Sequence, residues 1–587
     1  MRKIIVLLVT FIWATNLMAQ EESVTLKWWN PESSEVPVIS GQAWSEELPS
    51  IYHRLPARAE ENVRDAVWNL SKQAAGLSIR FWTNSETIEV KYAVSGGVSF
   101  PHMPATGKSG LDLYSKSYDG DWQRSWGKYS IGSESNYKFV IDEDSQKYHQ
   151  YGREYQLFLP LYNEVTQLEI GVGEDAIFKI LPLKNEKPIV AYGTSICQGA
   201  CASRPGMAWT NILERKLERP VLNLGFSGNG KMEPEIIDLL TEIDAKLYIL
   251  DCLPNLSPEN DDVYQLTLDA VHQLKEKRPN TPIILTEHVG YADATTNMKN
   301  HVHVKSLNEQ YEKAFLKLKS EGISGIFLLE KEDLGLGYDS FVDIIHPNDL
   351  GMLEYADAYE KLIREVLNEP LGNLSTTIPM SQSRDIAVYN WVERHQRILE
   401  MNQEKAPEIL IFGNSIVNFW GGEPAIKNVN GPTSWKELFE PLGVRNYGYG
   451  WDRIENVLWR VYHDELDGFE AKQIVLMIGT NNIHLNSHEE ILEGLENLIQ
   501  AIQDRQAKSE ILMVGLLPRR GMEAEIASLN LKISQMVYLA NVEYKDLGKG
   551  LLKVDGTLNE NLFSDGLHPN EEGYRIIGEE LLPELKK

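Results

Sequence analysis

One pattern occurs twice in this chain, as Pro188-Ile-Val-Ala-Tyr-Gly-Thr-Ser-Ile196 and as Glu408-Ile-Leu-Ile-Phe-Gly-Asn-Ser-Ile416. Each copy is a short apolar run that ends in Gly-x-Ser-Ile. Such runs are typical of strands buried on both faces of a parallel sheet. The glycine permits a tight turn that would hold the next serine away from the sheet. The repeat therefore predicts two α/β units, with Ser195 and Ser415 at strand-to-helix turns.

The blocks that follow the two serines also repeat, in the same order. Each half has Asn-x-Gly at a strand end, at 223–225 and 446–448, and closes on Asp-x-x-His-Pro-Asn, at 343–348 and 565–570. The serine-to-histidine separations are 151 and 153 residues. Two chance matches in one order at nearly equal spacing are improbable, so we interpret the blocks as one constellation that is present twice.

The residue types in these blocks are those of nucleophilic acyl transfer. A serine hydroxyl is a weak nucleophile until a base removes its proton. A histidine three residues after an aspartate can act as that base while the aspartate fixes its tautomer. A lone Gly-x-Ser would favour a helix-capping serine, and Pro-Asn alone would fit a surface loop. The predicted catalytic residues are Ser195, Asp343 and His346 in the first half, and Ser415, Asp565 and His568 in the second.

Acyl transfer also needs hydrogen-bond donors for the oxyanion. Asn255 and Asn481 each follow a buried strand, at the sheet edge where α/β proteins place their sites. Their side-chain amides are suited to this task, and backbone N–H groups of the serine and of the Asn-x-Gly turn could complete the hole. The mechanism needs no metal and no organic cofactor, and none is predicted.

The first residues have the pattern of an export signal. Arg2 and Lys3 precede an apolar run from Ile4 to Trp13, and Ala19 ends a plausible cleavage site. The run is short for a membrane span. A lipid anchor would need a cysteine at the cleavage junction, and none is present there. We therefore expect a secreted or periplasmic protein with no membrane insertion after signal removal.

Charge and cysteine content exclude other classes. The formal net charge of −28 argues against a nucleic acid partner. Three cysteines, Cys197, Cys201 and Cys252, are too few for a disulfide scaffold and lack metal-ligand spacing. We expect buried thiols, although one bridge could form.

The remaining sequence predicts the other domains. Residues from about 21 to 180 contain short alternating segments such as Thr87–Tyr92, separated by clusters of Gly, Ser, Asn and Asp, which predicts an antiparallel β-sandwich. Six of its seven tryptophans could stack on sugar rings or belong to the core, and the core is the favoured interpretation; they are Trp28, Trp29, Trp68, Trp82, Trp122 and Trp126. The predicted boundaries are a signal peptide at 1–19, a sandwich at 21–182, α/β domains at 185–370 and 390–587, and a linker at 371–389.

These blocks resemble the SGNH (GDSL-type) hydrolase superfamily, which is named for Ser, Gly, Asn and His in successive blocks. The resemblance covers about 185–370 and about 390–587. It implies two flavodoxin-like α/β/α domains after a jelly-roll-like sandwich, with Gly228 and Asn255 as oxyanion donors in the first domain and Asn481 in the second. Gly110-Leu-Asp-Leu-Tyr114 is similar to a motif of sandwich domains in one bacterial branch. The run 446–452 resembles the platelet-activating-factor acetylhydrolase-like branch.

The chain departs from the family pattern at the turns. Thr194 and Asn414 stand where the family has an Asp before the serine, and that Asp mostly shapes the turn. The third block of the first domain reads Asp-Cys-Leu-Pro-Asn, ending at Asn255. In the second domain Trp451 occupies the place of the oxyanion glycine, so we expect it to crowd the acyl pocket or form one wall. Gly450 is then the predicted donor.

Together these observations predict a secreted serine esterase with two Ser-His-Asp sites. The expected substrates are small acyl esters, with acetyl groups on glycans favoured because of the family resemblance, the export signal and the sandwich domain. Two alternatives stay open. One hydrolase domain could be degenerate and bind carbohydrate, or the enzyme could hydrolyse lipid or aryl esters.

Overall fold

The computed structural model describes residues 25–117, 119–141, 152–383, 389–540 and 542–587. The predicted signal peptide lies outside these residues. The described residues form two antiparallel sheets followed by two parallel sheets, each parallel sheet having helices in its crossovers. The predicted α/β class is confirmed. No helix in the described ranges is long and apolar enough to cross a membrane.

Within the described residues, eleven strands and two helices form the N-terminal unit. They are β1 Leu26–Trp29, β2 Ile39–Ser40, α1 Asp65–Ser71, β3 Ser78–Thr83, β4 Thr87–Val94, α2 Ala105–Lys108, β5 Asp112–Lys116, β6 Trp122–Ser125, β7 Gly127–Ser130, β8 Glu134–Val140, β9 Arg153–Phe158, β10 Val165–Gly173 and β11 Phe178–Ile180. One sheet has the order β1-β10-β4-β8-β7, and the other has the order β11-β3-β9-β5-β6, with β2 paired to β3.

Both antiparallel sheets contribute to one apolar core. Ile88 and Val90 of β4 lie in the same buried cluster as Leu113 of β5 and Leu157 of β9, which belong to the other sheet. This follows from the period-2 alternation of apolar side chains along each strand. A jelly-roll-like connection of the strands stays a prediction.

The tryptophans of this unit do not behave as one group. Trp68 and Trp82 are buried, but Trp68 packs in the apolar cluster of the first parallel sheet, and neither belongs to the core between the two antiparallel sheets. Trp29 is half-buried and packs against that core, and Trp28 and Trp122 are half-buried. Trp126 has 62% of its surface exposed. Packing in the core between the two antiparallel sheets therefore accounts for Trp29 among these six.

The first parallel sheet has the order β13-β12-β14-β15-β16. Its elements are β12 Ile189–Gly193, α3 Ser195–Gln198, α4 Trp209–Leu217, β13 Val221–Gly225, α5 Pro234–Glu242, β14 Leu247–Asp251, α6 Val263–Lys277, β15 Ile283–Thr286, α7 Met298–Ser320, β16 Ile326–Leu329, α8 Lys331–Leu334 and α9 Asp349–Leu367. Val190 and Tyr192 face one buried cluster, and Ile189 and Ala191 face another. A strand with a core on each face needs apolar residues throughout, which explains its uninterrupted run.

The second parallel sheet repeats this order as β18-β17-β19-β20-β21. Its elements are α10 Trp391–Glu404, β17 Ile409–Gly413, α11 Ser415–Asn418, α12 Pro432–Leu438, β18 Arg445–Gly448, α13 Ile454–Tyr462, β19 Gln473–Met477, α14 His488–Arg505, β20 Glu510–Val514, α15 Glu523–Leu539, β21 Glu543–Lys545 and α16 Glu571–Leu585. In both sheets the strand before the serine is the second strand, flanked by partners on both sides.

The Gly-x-Asp-Leu-Tyr motif joins the N-terminal unit to the first α/β unit. Asp112 is buried, forms an ion pair with Arg204 and accepts a hydrogen bond from the Gly206 backbone N–H at 3.1 Å. The Tyr114 hydroxyl accepts a hydrogen bond from Arg204 at 2.6 Å. The motif thus forms one side of the contact between the N-terminal unit and the first α/β unit.

Part of the predicted linker packs against the second α/β unit. Thr376 is buried, and its hydroxyl donates to the Glu490 carbonyl at 2.7 Å. The Met380 N–H donates to the Glu455 carbonyl at 3.2 Å. These contacts attach residues 376–380 to the second α/β unit.

Candidate active sites

Each candidate nucleophile lies at a turn that only glycines allow. A Cβ on Gly193 would lie 2.6 Å from the Asp251 carbonyl oxygen, and a Cβ on Gly225 would lie 2.2 Å from the Gln198 nitrogen. Gly413 and Gly448 have the same positions in the second unit, where a Cβ would come within 2.3 Å of neighbouring atoms. The serine turn can therefore press against the adjacent strands in both units.

The residues before the serines cap these turns. The Thr194 hydroxyl accepts from the Ile196 N–H at 3.3 Å, and the Asn414 side-chain oxygen accepts from the Ile416 N–H at 2.9 Å. An oxygen acceptor is the feature that the family's usual Asp would share with them. The two departures therefore preserve the turn.

The structure brings Ser195, His346 and Asp343 together. The Ser195 hydroxyl lies 2.9 Å from His346 Nε2, and His346 Nδ1 lies 2.7 Å from Asp343 Oδ2. An ionised carboxylate only accepts hydrogen bonds, so Nδ1 carries the proton and Nε2 is free to accept from the serine. This is the tautomer that a general base requires.

Ser415, His568 and Asp565 repeat this geometry. The Ser415 hydroxyl lies 2.8 Å from His568 Nε2, and His568 Nδ1 lies 2.7 Å from Asp565 Oδ2. Both serines are more than nine-tenths buried, and both histidines are mostly buried. The six residues predicted from the sequence thus form two matching groups.

Backbone N–H groups keep both aspartates ionised. Burial raises the pKa of the Asp343 carboxyl, but hydrogen bonds from the His346 ring and from the N–H groups of His346 and Ile345 lower it by more, so the pKa lies below its usual value. Burial likewise raises the pKa of Asp565, and bonds from His568 and the Leu567 N–H outweigh it. Each aspartate is thus ready to support a charged imidazole.

The asparagine after each His-Pro fixes the loop to a helix. Asn348 caps α9 by accepting from the N–H groups of residues 350 and 351, and its NH2 group donates to the Asp339 carbonyl at 2.6 Å. Asn570 caps α16 in the same way and donates to the Asn561 carbonyl at 2.8 Å. Each asparagine is therefore a helix cap, and the cap helps to position the histidine.

In the first unit the predicted oxyanion donors lie beside the serine turn. The Gly230 N–H donates to the Asn255 side-chain oxygen at 3.1 Å. The NH2 group of the Asn255 amide therefore points away from this N–H. Gly230 presses on the same turn, because a Cβ there would lie 2.0 Å from the Gly193 oxygen. Gly228 is left-handed, with φ at +70°, and faces open space.

In the second unit the corresponding turn contains a tryptophan. The N–H groups of Phe226 and Tyr449 donate to the carbonyls of Gly193 and Gly413, which aligns Gly228 with Trp451. Trp451 is left-handed too, with φ at +60°, and its side chain is 40% exposed. The register therefore favours the Trp451 N–H over the predicted Gly450 N–H as the counterpart of Gly228.

Asn481 is oriented differently from Asn255. Its NH2 group donates to the Asp452 carbonyl at 2.9 Å. One amide hydrogen is therefore engaged, and the second is available for an oxyanion. Asp452 is itself buried against Arg460, Trp391 and Gln382.

Family comparisons agree with the two-site organisation. Residues 186–364 and 411–576 each match the GDSL-like lipase/acylhydrolase family, and residues 26–178 match the N-terminus of SGNH-hydrolase-type esterases. Human platelet-activating factor acetylhydrolase IB subunit alpha2 is 34% identical over 192 residues, which are 32% of this chain and 80% of that protein. The chain belongs to the GDSL-like lipase/acylhydrolase family.

Two further relatives extend the comparison. Human platelet-activating factor acetylhydrolase IB subunit alpha1 is 29% identical over 192 residues, which are 32% of this chain and 79% of that protein. The crystal structure of a protein described as a GDSL-like lipase from Bacteroides ovatus is 34% identical. It covers 59% of this chain and 98% of its own, with a TM-score of 0.54. These acylhydrolase domains make the protein a carboxylic ester hydrolase.

Each site of this acylhydrolase has an aromatic neighbour that sequence analysis missed. The His102 ring stacks on the His346 ring at 5.8 Å between centroids and 19° between planes. In the second site Phe419 lies 4.9 Å from the His568 ring. His102 belongs to the N-terminal unit, and no spacing pattern links it to His346. Phe419 is four residues after Ser415, and that helical spacing could have indicated it.

The N-terminal unit also contacts the loop that continues from Trp451. Asp119 forms an ion pair with Arg453 at 2.8 Å. A Cβ on Gly120 would lie 2.5 Å from the Ser381 carbonyl. One unit therefore contributes contacts near both candidate sites.

The three cysteines are free, buried thiols. This agrees with the favoured expectation. Burial raises the pKa of the Cys201 thiol to about 12, so it stays protonated at neutral pH.

Proposed function

We propose that both domains hydrolyse small acyl esters through an acyl-enzyme intermediate. The serine oxygen attacks the ester carbonyl while its proton moves to histidine Nε2. The same proton then passes to the leaving alcohol, and the histidine next activates a water that hydrolyses the acyl-enzyme. The observation that carries this proposal is the pair of serine–histidine–aspartate contacts, which agree within 0.1 Å between the two domains.

The proposed oxyanion donors complete the mechanism. In the first domain they are the N–H groups of Ser195 and Gly228 and the Asn255 amide. In the second they are the N–H groups of Ser415 and of Trp451 or Gly450, with the Asn481 amide. Donors fixed in advance stabilise the charge that develops on the carbonyl oxygen without reorganising during the reaction.

We assign acetyl esters on glycans as the favoured substrates. Relatives of this chain are named acetylhydrolases, which supports a small acyl group. Trp451 beside the second serine supports a short acyl pocket there, because a large side chain replaces the hydrogen of glycine. The exposed Trp126 offers an apolar ring face of the kind on which sugars stack. Export of the protein rests on the pattern of residues 1–19.

A degenerate second domain is the weaker alternative. Such a domain would keep the strands and lose one of the serine, histidine or aspartate contacts. Both domains keep all of them, and both keep an asparagine at the end of the third block. This supports two working sites rather than one.

The test compares Ser195→Ala, Ser415→Ala and the double variant in the full chain. Hydrolysis of an acetylated chromogenic ester and of acetylated polysaccharides would be measured, with Ser320→Ala, an exposed serine at the end of α7, as the matched control. We expect each single variant to lose one share of the activity and the double variant to fall to background. Full activity in the double variant would exclude the mechanism. If only one single variant loses activity, the other domain is a passenger for that substrate.

A further inference from the structure

A tight turn of the N-terminal unit presents His102 at the first esterase site. Phe100 and Met103 exchange backbone hydrogen bonds at 3.0 and 3.2 Å, which closes the turn and leaves His102 exposed near its tip. Phe100 stacks on His102 at 5.7 Å between ring centroids, and His102 stacks in turn on His346. The ring of His102 therefore lies in an offset stack with the rings of Phe100 and His346.

Cys201 reaches the same place from the segment that follows the serine helix. Its N–H donates to the carbonyl of Pro347, the residue after His346, at 2.9 Å. The next residue, Ala202, is pressed against α2, since a Cβ on Gly107 would lie 2.1 Å from its carbonyl oxygen. The turn that contains His102 and the segment that contains Cys201 are thus held together by close backbone packing.

Nitrogen and sulfur atoms of these residues converge. One ligand atom from each of His102, Cys201 and His346 lies within 4.8 Å of the other two, and no other group of three His, Cys, Asp or Glu residues within the described ranges meets this condition. Imidazole nitrogen and thiolate sulfur are the ligands that Zn²⁺ prefers. Bonds of about 2.0–2.3 Å to a tetrahedral zinc place ligand atoms roughly 3.3–3.8 Å apart, so the ligands must approach by about 1 Å.

We propose that His102, Cys201 and His346 form a binding site for a thiophilic divalent cation such as Zn²⁺, whose occupation turns off the first esterase site. The metal takes His346 Nε2, the atom that otherwise receives the Ser195 proton. Asp343 stays on Nδ1 and orients the ring, as carboxylates do for zinc-bound histidines. Cys201 releases its thiol proton to solvent as the zinc–sulfur bond forms. Inhibition rests on the proposed function of Ser195, whereas metal binding does not.

The second site lacks these ligands and is an internal control. Gly421 stands six residues after Ser415, where the first domain has Cys201 six residues after Ser195. Phe419, not a histidine, lies against His568. Neither residue can bind a cation, so the second site should continue to work when zinc is present.

Equilibrium dialysis against zinc chloride, with the metal content of the protein then measured, tests the binding step. We expect about one tight zinc per wild-type chain and per Ser195→Ala chain. His102→Ala and Cys201→Ala should bind at least ~10-fold more weakly, the smallest loss seen even for residues that only support a metal ligand. Cys252→Ala, a buried thiol outside the group, is the matched control. Because His102 is exposed, its substitution leaves the fold intact. Unchanged zinc affinity in His102→Ala would overturn the proposal.

Ester hydrolysis tests the inhibition step, with each rate compared with that of the same variant after chelation. Zinc should abolish the activity of Ser415→Ala, which reports the first site, and leave that of Ser195→Ala unchanged. Adding Cys201→Ala to Ser415→Ala should raise the inhibitory zinc concentration at least ~10-fold. Equal inhibition of both sites would contradict the proposal. If neither site hydrolyses esters, the proposed function fails while the dialysis result still decides the metal site.

Discussion

Gly228 in the first domain and Trp451 in the second have the same left-handed backbone, at φ +70° and +60°. The two positions differ in whether a side chain occupies the space beside the backbone. A Cβ on Gly228 would meet nothing within 4 Å, whereas Trp451 fills this position with the largest side chain. Glycine adopts this conformation without penalty, and other residues lose roughly 1–2 kcal/mol. Such strain persists mainly where a side chain serves the site. The two sites thus share the nucleophile geometry and differ at this position, where we propose that the acyl pocket lies.

The largest expected effect comes from the shared part of the sites. Asp343→Asn in the Ser415→Ala background should lower kcat of the first site about 10⁴-fold, because the amide no longer fixes the productive histidine tautomer. Asp565→Asn in the Ser195→Ala background should do the same for the second site. The measurement is the steady-state hydrolysis of an acetyl ester. A loss of tenfold or less in one domain would break the equivalence of the two sites.

Substitution of Asn255 and Asn481 should have the next largest effect on kcat. The two substitutions should differ in their effect on stability, which distinguishes the two sites. Asn255→Asp keeps the oxygen that accepts from Gly230, but it replaces the NH2 donor with a charged carboxylate oxygen that repels the oxyanion, so kcat should fall at least ~10²–10³-fold with the thermal midpoint unchanged. Asn481→Asp should lower both, because its carboxylate would face the Asp452 carbonyl. Rates and thermal midpoints of the two variants would be compared side by side. Normal activity in Asn255→Asp would remove this residue from the oxyanion hole.

Trp451→Gly should widen the acyl preference of the second site. One extra methylene in an apolar pocket changes specificity by about 10–200-fold, so the ratio of butyryl to acetyl ester kcat/KM should rise at least ~10-fold. The measurement uses the Ser195→Ala background, with Trp459→Phe, at a buried tryptophan of α13, as the control. An unchanged ratio would mean that Trp451 does not line the pocket.

Replacing the buried acids beside the sites should have a smaller effect, a pH-dependent change in the thermal midpoint. Burial raises the pKa of the Asp251 carboxyl to about 7. A carboxyl that binds its proton more tightly when folded stabilises the protein at low pH, and this contribution is lost as pH rises from its ordinary value of 3.8 to about 7. Asp251→Asn should therefore raise the thermal midpoint near pH 8 and leave it unchanged near pH 4.

Asp452 provides the contrasting case. Burial raises its pKa to about 6 although Arg460 and two hydrogen bonds oppose this. Asp452→Asn would leave the buried Arg460 with one carboxylate, that of Glu465, instead of the two that each lie 2.8 Å away. Its thermal midpoint near pH 8 should fall, opposite to that of Asp251→Asn. The same direction in both variants would show that the two acids have equivalent environments.

Local sequence patterns were sufficient for much of the fold and of the sites. The apolar runs before Ser195 and Ser415 predicted β12 and β17, because a strand with a core on each face needs apolar residues at every position. The Asp-x-x-His spacing predicted the histidine pairings, since both partners lie on one short turn. His102 could not be predicted, because it approaches His346 through domain packing. The left-handed backbone of Trp451 could not be predicted from the sequence either, since this conformation is normally adopted by glycine.

Labelling with a fluorophosphonate, followed by intact-protein mass spectrometry, tests the central claim most directly, because the probe reacts only with an activated serine. Two working sites predict two adducts on the wild-type chain, one on Ser195→Ala, one on Ser415→Ala and none on the double variant. Heat-unfolded protein is the control, and it should remain unlabelled. A wild-type chain that accepts only one adduct, or a double variant that is still labelled, would contradict the account of two Ser-His-Asp esterase sites.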